Sequence, residues 1–309
     1  MMHAVHATDD HAHPVLGIAF KLASVVCLAG MAACVKALGS SIPAAQTIFV
    51  RGVISMLVLA IIAWRGEGLH LLKTRNWRAH AARSVAGSLS MFCWFTALTM
   101  IPFAQMTAIS FTIPLFLTIL AMVFLRERIH MYRWTALAIG LTGVLIIIGP
   151  ELMLGQGNVA GVAVSLFAAV LAAFALLALR RMSGAEHALT ITFYFFATSS
   201  TLALTTLAFD SWPRPNSSQW ILLGLIGFFG VLGQLFMSYT YRHAEASLVA
   251  PLDYVNMLLA VAIGFYVFGE VPHLSTWLGA PLVIASGGII LWREYVKLKR
   301  IRSTQKIVT

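Results

Sequence analysis

Ten predominantly apolar stretches, most of them about twenty residues long, follow one another along the chain with short polar breaks between them. They cover 15–36, 46–64, 79–99, 103–125, 132–149, 158–180, 188–209, 218–241, 246–268 and 274–292. A helix rising about 1.5 Å per residue crosses the hydrocarbon layer with roughly 20 such residues. The pattern therefore predicts an all-α integral membrane protein with ten transmembrane helices. The breaks fall at Gly39-Ser40-Ser41-Ile42-Pro43, Gly66-Glu67-Gly68, Gly149-Pro150, Gly155-Gln156-Gly157-Asn158 and Trp212-Pro213-Arg214-Pro215-Asn216, which are turn-forming sequences.

The second half of the chain repeats the first. An offset of 143 residues carries Trp77 onto Trp220, Glu127 onto Glu270 and Trp134 onto Trp277. It also carries Ala81, Ser84, Gly87 and Ser90 onto Gly224, Gly227, Gly230 and Gly233. Near the start the offset is 144, with Gly17 on Gly161 and Lys36 on Arg180. The domains expected are a flexible His-rich tail over 1–13, a first five-helix unit over 14–150, a second over 151–293, and a basic tail over 294–309. Five is odd, so the second unit enters the bilayer from the side opposite to the first. Inverted repeats of this kind support alternating access to one central site.

Charge places this arrangement in the membrane. With the N-terminus cytoplasmic, the inner loops hold Arg65, Lys73, Arg75, Arg78, Arg83, Arg126, Arg128, Arg133, Arg180, Arg181 and Arg242. The C-terminal tail adds Arg293, Lys297, Lys299, Arg300, Arg302 and Lys306, while the outer side holds only Lys36 and Arg214. The positive-inside rule then puts both termini in the cytoplasm. The chain has 309 residues, 60% hydrophobic and 10% charged. Soluble domains carry about 25% charged residues, so lipid is the expected solvent. The net charge of +10 is accounted for by these loops, and nucleic acid is not an expected partner. Cys27, Cys34 and Cys93 all lie in apolar segments and form neither a disulfide framework nor a metal set. The tail histidines His3, His6, His11 and His13 read as a disordered leader.

Polar groups at membrane depth face the bundle interior and mark pathways. Asp253, about two turns into its segment, is the one carboxylate well inside a span and the candidate coupling group. Lys21 lies at a comparable depth and could pair with it or snorkel to the headgroups. Arg51, with Lys36, could attract an anionic group at the outer mouth or anchor the interface. Gln234, Asn256 and the aromatic residues Phe92, Trp94, Tyr239 and Tyr254 are further pathway candidates, each weighed against plain helix packing. Gly224, Gly227, Gly230 and Gly233, every third residue, let a neighbouring helix come close, for packing or for sliding; Pro114 and Pro251 are candidate hinges. Glu127 and Glu270 read as helix-end architecture. The chain has no Walker loop, His-Glu-x-x-His motif, nucleophile elbow or Cys-rich metal set, so neither enzyme activity, catalytic residue, metal nor cofactor is expected.

Several stretches resemble the drug/metabolite transporter superfamily, and in particular its EamA-type ten-helix carriers. They are Phe49-Val50-Arg51, Phe111-Thr112-Ile113-Pro114-Leu115-Phe116, Phe124-Leu125-Arg126-Glu127-Arg128 with Trp134, and Gly140-Leu141-Thr142-Gly143-Val144, then Pro251, Gly269-Glu270 and Trp277. The resemblance implies a helical bundle around a central cavity, with the fifth and tenth helices peripheral. It implies secondary transport of a small organic metabolite across the cell inner membrane. The chain is similar to bacterial riboflavin-uptake members; export of an amino acid or other metabolite is the alternative. A membrane scaffold that transports nothing is the reading from another class. The expected partners are the small-molecule substrate and the bilayer, with homo-oligomerisation left open.

Overall fold

The computed structural model describes residues 14–65, 68, 73–74, 76–125, 131–154, 158–182, 188–209, 211–243, 252, 255–286, 288–289, 292 and 296. A backbone in lipid must satisfy its own hydrogen bonds, and every regular element among the described residues is a helix. They are α1 (Pro14–Leu38), α2 (Ala44–Arg65), α3 (Trp77–Met100), α4 (Phe103–Ser110), α5 (Ile113–Leu125), α6 (Met131–Leu154), α7 (Val159–Met182), α8 (Ala188–Thr205), α9 (Ser217–His243) and α10 (Val255–Phe268), followed by α11 (Leu274–Ser286). Among the described residues, 6 helical segments are long and apolar enough to cross a bilayer, and shorter apolar helices accompany them. Large apolar side chains such as Val26, Leu57, Phe228, Leu258 and Val267 cover the outside, as a lipid-facing surface requires.

The structure departs from the expected boundaries at two prolines. The segment 103–125, expected as one helix, divides into α4 and α5 at Phe111–Thr112. Pro114 has no N–H and its ring crowds the carbonyl four residues earlier. The chain compensates with tighter bonds: the Phe111 and Thr112 amides donate to Ala108 and Ile109 carbonyls, at 3.2 and 2.9 Å, and Thr112 Oγ1 donates to the Ile109 carbonyl at 2.7 Å. Conversely, the break expected at Gly149-Pro150 is absent, and α6 runs on to Leu154. A proline removes a single ladder bond, which a membrane helix tolerates. Pro251, the other candidate hinge, lies outside the described residues.

The long helices pack in corresponding pairs, α1 along α9 and α3 along α7, with α2 against α8 and α9. Ser24 Oγ donates to the Gly233 carbonyl at 2.8 Å, and Ser90 Oγ donates to the Ala168 carbonyl at 2.8 Å. The offsets that relate the two halves carry Ser24 onto Ala168 and Ser90 onto Gly233, so these two bonds join corresponding positions. In both cases the first half supplies the hydroxyl, from α1 in one bond and from α3 in the other. The α6–α11 crossing has the same property. A Cβ on Gly140 would meet Ser286 Oγ at 2.7 Å, and one on Gly143 would meet Val283 Cγ2 at 2.8 Å; the offset interchanges these two contacts. Since the Gly233 and Ala168 carbonyls also serve their own helices, Ser24→Ala or Ser90→Ala should each lower stability by only about 0.6 kcal/mol, the mean for hydrogen bonds between membrane helices. Thermal unfolding in detergent checks this.

Candidate functional site

A cavity of about 310 Å³ lies between the halves, lined by α1, α2, α3, α4, α8, α9 and α10. Its floor and walls are apolar: Leu28, Met31, Met91, Phe95, Phe103 and Phe195. Trp94 stands in the wall with its indole N–H 3.3 Å from Ser110 Oγ, and Gln234, Asn256 and Ser90 supply neutral polar groups. Arg51 is the one ionisable residue among the described residues that line it. A volume of this size sits at the small end of metabolite pockets, which run from about 300 to 1,000 Å³.

Arg51 is 3% exposed. It points from α2 toward Gly230 of α9, where a Cβ would lie 2.7 Å from Nε. Its Nη1 donates to Met91 Sδ, its charge stands over the Phe196 ring at 5.1 Å, and its Nε is buried with no acceptor. Gly230 thus makes room for the guanidinium. Of the other three residues in the glycine row, Gly227 admits Ile54 and Gly233 admits Leu28, whereas a Cβ on Gly224 would meet nothing within 4 Å. The row is a seat for α1 and α2 over three of its four members.

Above the cavity, Lys36 and Glu270 form an ion pair at 2.7 Å between Nζ and Oε1, with side chains 11% and 21% exposed. Lys36 Nζ also donates to the Ile101 carbonyl at 2.9 Å and the Leu98 carbonyl at 3.3 Å. These acceptors close α3, where the carbonyl end of a helix favours a cation. Glu270 Oε2 accepts the Phe103 backbone N–H at 2.9 Å, at the start of α4, where amides favour an anion. Gly269, at φ 65°, turns the chain out of α10 so that the Glu270 amide reaches the Gly264 carbonyl at 2.8 Å. Four segments are thereby tied at one point. Ala32, one turn or about 6 Å below Lys36, already lines the cavity, as does the Phe103 side chain.

The sequence candidates divide accordingly. Arg51, Trp94, Gln234 and Asn256 come together in the cavity. Lys36 is engaged by Glu270 rather than set beside Arg51. Lys21 is completely buried, with Nζ 3.6 Å from Met237 Sδ, so it is enclosed by protein and does not snorkel. Phe92 packs on the core outside the cavity lining, and Tyr239 is exposed at 43% beside Phe20. Pro114 lies at the start of α5. Asp253 and Tyr254 lie outside the described residues. The sequence reading missed Glu270 as a functional partner and Phe195 and Phe103 as lining. Glu270 carried one usable signal: it repeats Glu127 at the offset of 143 residues.

The model of the EamA-like transporter family matches residues 15–149 and again 159–292. The chain belongs to the EamA-like transporter family. This EamA-like chain is 30% identical to the "Pseudopaline exporter CntI" of Pseudomonas aeruginosa over 83% of its own length and 89% of the relative's. It is 27% identical to an "S-adenosylmethionine uptake transporter" of Rickettsia conorii over 94% and 97% of the two chains. It is 31% identical to a "Riboflavin transporter" of Vibrio cholerae over 75% and 77%. A solved crystal structure, 18% identical, shares its fold with a TM-score of 0.61 over 89% of this chain and 96% of that one. The family and these relatives are membrane transporters, not enzymes, and the chain is a multi-pass membrane protein.

Proposed function

We propose that the chain is a secondary carrier of the cell inner membrane that moves a small organic metabolite by alternating access between two inverted five-helix repeats, with ten spans and both ends cytoplasmic. The observation that carries this reading is a cavity lined from both halves, with a cross-half ion pair tying the helix ends one turn above it. A closed outer side and a cavity beneath it describe one end state of such a cycle. The paired contacts Ser24–Gly233 and Ser90–Ala168 support the symmetry that would give the other. Asp253 is the proposed coupling carboxylate, with Lys21 as its proposed partner.

Riboflavin is one substrate reading, favoured by the aromatic wall of Trp94, Phe95 and Phe195 and by the Vibrio cholerae relative. Proteoliposomes containing the purified chain test both levels. Preloaded with riboflavin, S-adenosylmethionine or an amino-acid mixture, they should exchange the matching labelled compound in a saturable manner. Exchange with none of these, by protein that unfolds cooperatively, goes against the carrier reading; exchange with all but riboflavin removes that substrate.

A further inference from the structure

Among the described residues, Arg51 carries a charge that its neighbours leave poorly compensated. A guanidinium stays protonated in proteins, and enclosing it away from water is costly unless an anion meets it. Its neighbours are a thioether, which is a weak acceptor, and an aromatic face, which offers only partial compensation. Nε has no acceptor, and no carboxylate pairs with Arg51 among the described residues. Packing does not demand the charge. The offset of 144 carries Arg51 onto Phe195, and the offset of 143 carries Gly87 onto Gly230. The two pairs occupy corresponding places: Phe195 Cε2 is 3.0 Å from a Cβ on Gly87, as Arg51 Nε is 2.7 Å from one on Gly230. Gly52 of α2 likewise faces the Phe196 carbonyl of α8, at 3.3 Å from its Cβ position, and 144 interchanges these two residues. One side of the cavity thus fills this place with a phenyl ring and the other with a cation.

We infer that Arg51 is the recognition site for a carboxylate on the transported metabolite, whose apolar portion lies against Phe195, Phe95 and Trp94. The fork of the guanidinium suits two parallel N–H···O bonds to a carboxylate, and the remaining polar atoms of the ligand fall to Gln234 and Asn256. The ligand class is an organic acid of amino-acid to nucleoside size, and a neutral planar compound leaves Arg51 as it is. This inference rests on the carrier reading but is tested by binding alone.

The test is thermal stabilisation of the purified protein in detergent by phenylalanine, benzoate and S-adenosylmethionine, each against its amide or methyl ester, and by riboflavin, at constant ionic strength. At least one acid should raise the melting temperature saturably while its amide or ester does not. Arg51→Gln should weaken that binding roughly 10- to 100-fold, the loss of hydrogen bonds to a charged group, with Arg51→Lys in between. Without ligand, Arg51→Met should melt at or above the parent temperature, because it removes a buried charge and keeps the volume. A clear fall with Arg51→Met marks the guanidinium as structural and overturns the inference. So does stabilisation by amides, esters or riboflavin equal to that by the acids, or stabilisation by no acid. Binding failure with exchange in proteoliposomes intact removes the ligand class alone; loss of exchange removes the carrier reading.

Discussion

On the proposed topology and carrier cycle, Glu270→Gln should release the ends of four segments at once and shift the protein toward a state open on the side of the Lys36–Glu270 pair. The substitution leaves the Lys36 ammonium among backbone carbonyls with no counter-charge. It also weakens the acceptor for the Phe103 amide. Breaking a fully buried pair from one side costs about 3–5 kcal/mol. With 11% and 21% of the two side chains still exposed, solvent screening brings this to roughly 1–3 kcal/mol. That shifts the closed-to-open ratio by roughly 5- to 150-fold. The measurement is thiol labelling from outside of an Ala32→Cys variant in which Cys27, Cys34 and Cys93 are serines. Its rate should rise roughly 5- to 150-fold with Glu270→Gln, by that same conversion. Lys36→Met should act in the same direction, and the double variant should be no worse than either single one, since the charge left alone is then gone. Labelling unchanged in all three would mean that the pair does not hold the outer side shut.

Gly279→Ala should be the most damaging alanine substitution among the described glycines. Its Cβ would run into the Gly143 carbonyl and stand 2.6 Å from Ile147 Cγ1 and 3.2 Å from the Ile147 amide nitrogen. Two of these neighbours are backbone, which cannot rotate away, so α6 and α11 must separate. Overpacking a tight interface costs about 1–3 kcal/mol, and this case belongs at the upper end. Gly224→Ala is the control: its Cβ meets nothing within 4 Å, and alanine is the better helix former by about 1 kcal/mol. The first variant should melt several degrees lower and the second no lower than the parent. Equal melting temperatures would show that the α6–α11 crossing is not as close as described.

What could be read from the sequence follows from what each kind of signal reports. Hydropathy sums over a whole turn or more, so it marked most of the helices with small boundary shifts; of the segment 246–268, the described helix is Val255–Phe268. It is blind to a two-residue turn, which is why 103–125 looked continuous although Pro114 was visible as a candidate hinge. The repeat was legible because corresponding residues face corresponding neighbours. The site was legible only in part, because direction around a helix is lost in a linear reading. Phe92 and Trp94 differ by two positions, which on a helix means nearly opposite faces, and only Trp94 reaches the cavity. Lys36 and Glu270 lie at far ends of the chain, and their meeting depends on how α1, α3, α4 and α10 close together. Arg51 was conspicuous as a charge in a span, but its empty Nε depends on where Gly230 sits.

The interruption between α4 and α5 divides one apolar segment into two short rods with different, partly shared attachments. The first is held by Glu270 at its amide end and packs on α10 as well as α7, while the second packs chiefly on α7. In the proposed carrier cycle, the break at Phe111–Thr112 is the place where one rod can tilt relative to the other. On that proposal the cargo leaves on one side before the other side begins to unclasp, and no continuous water path need ever form.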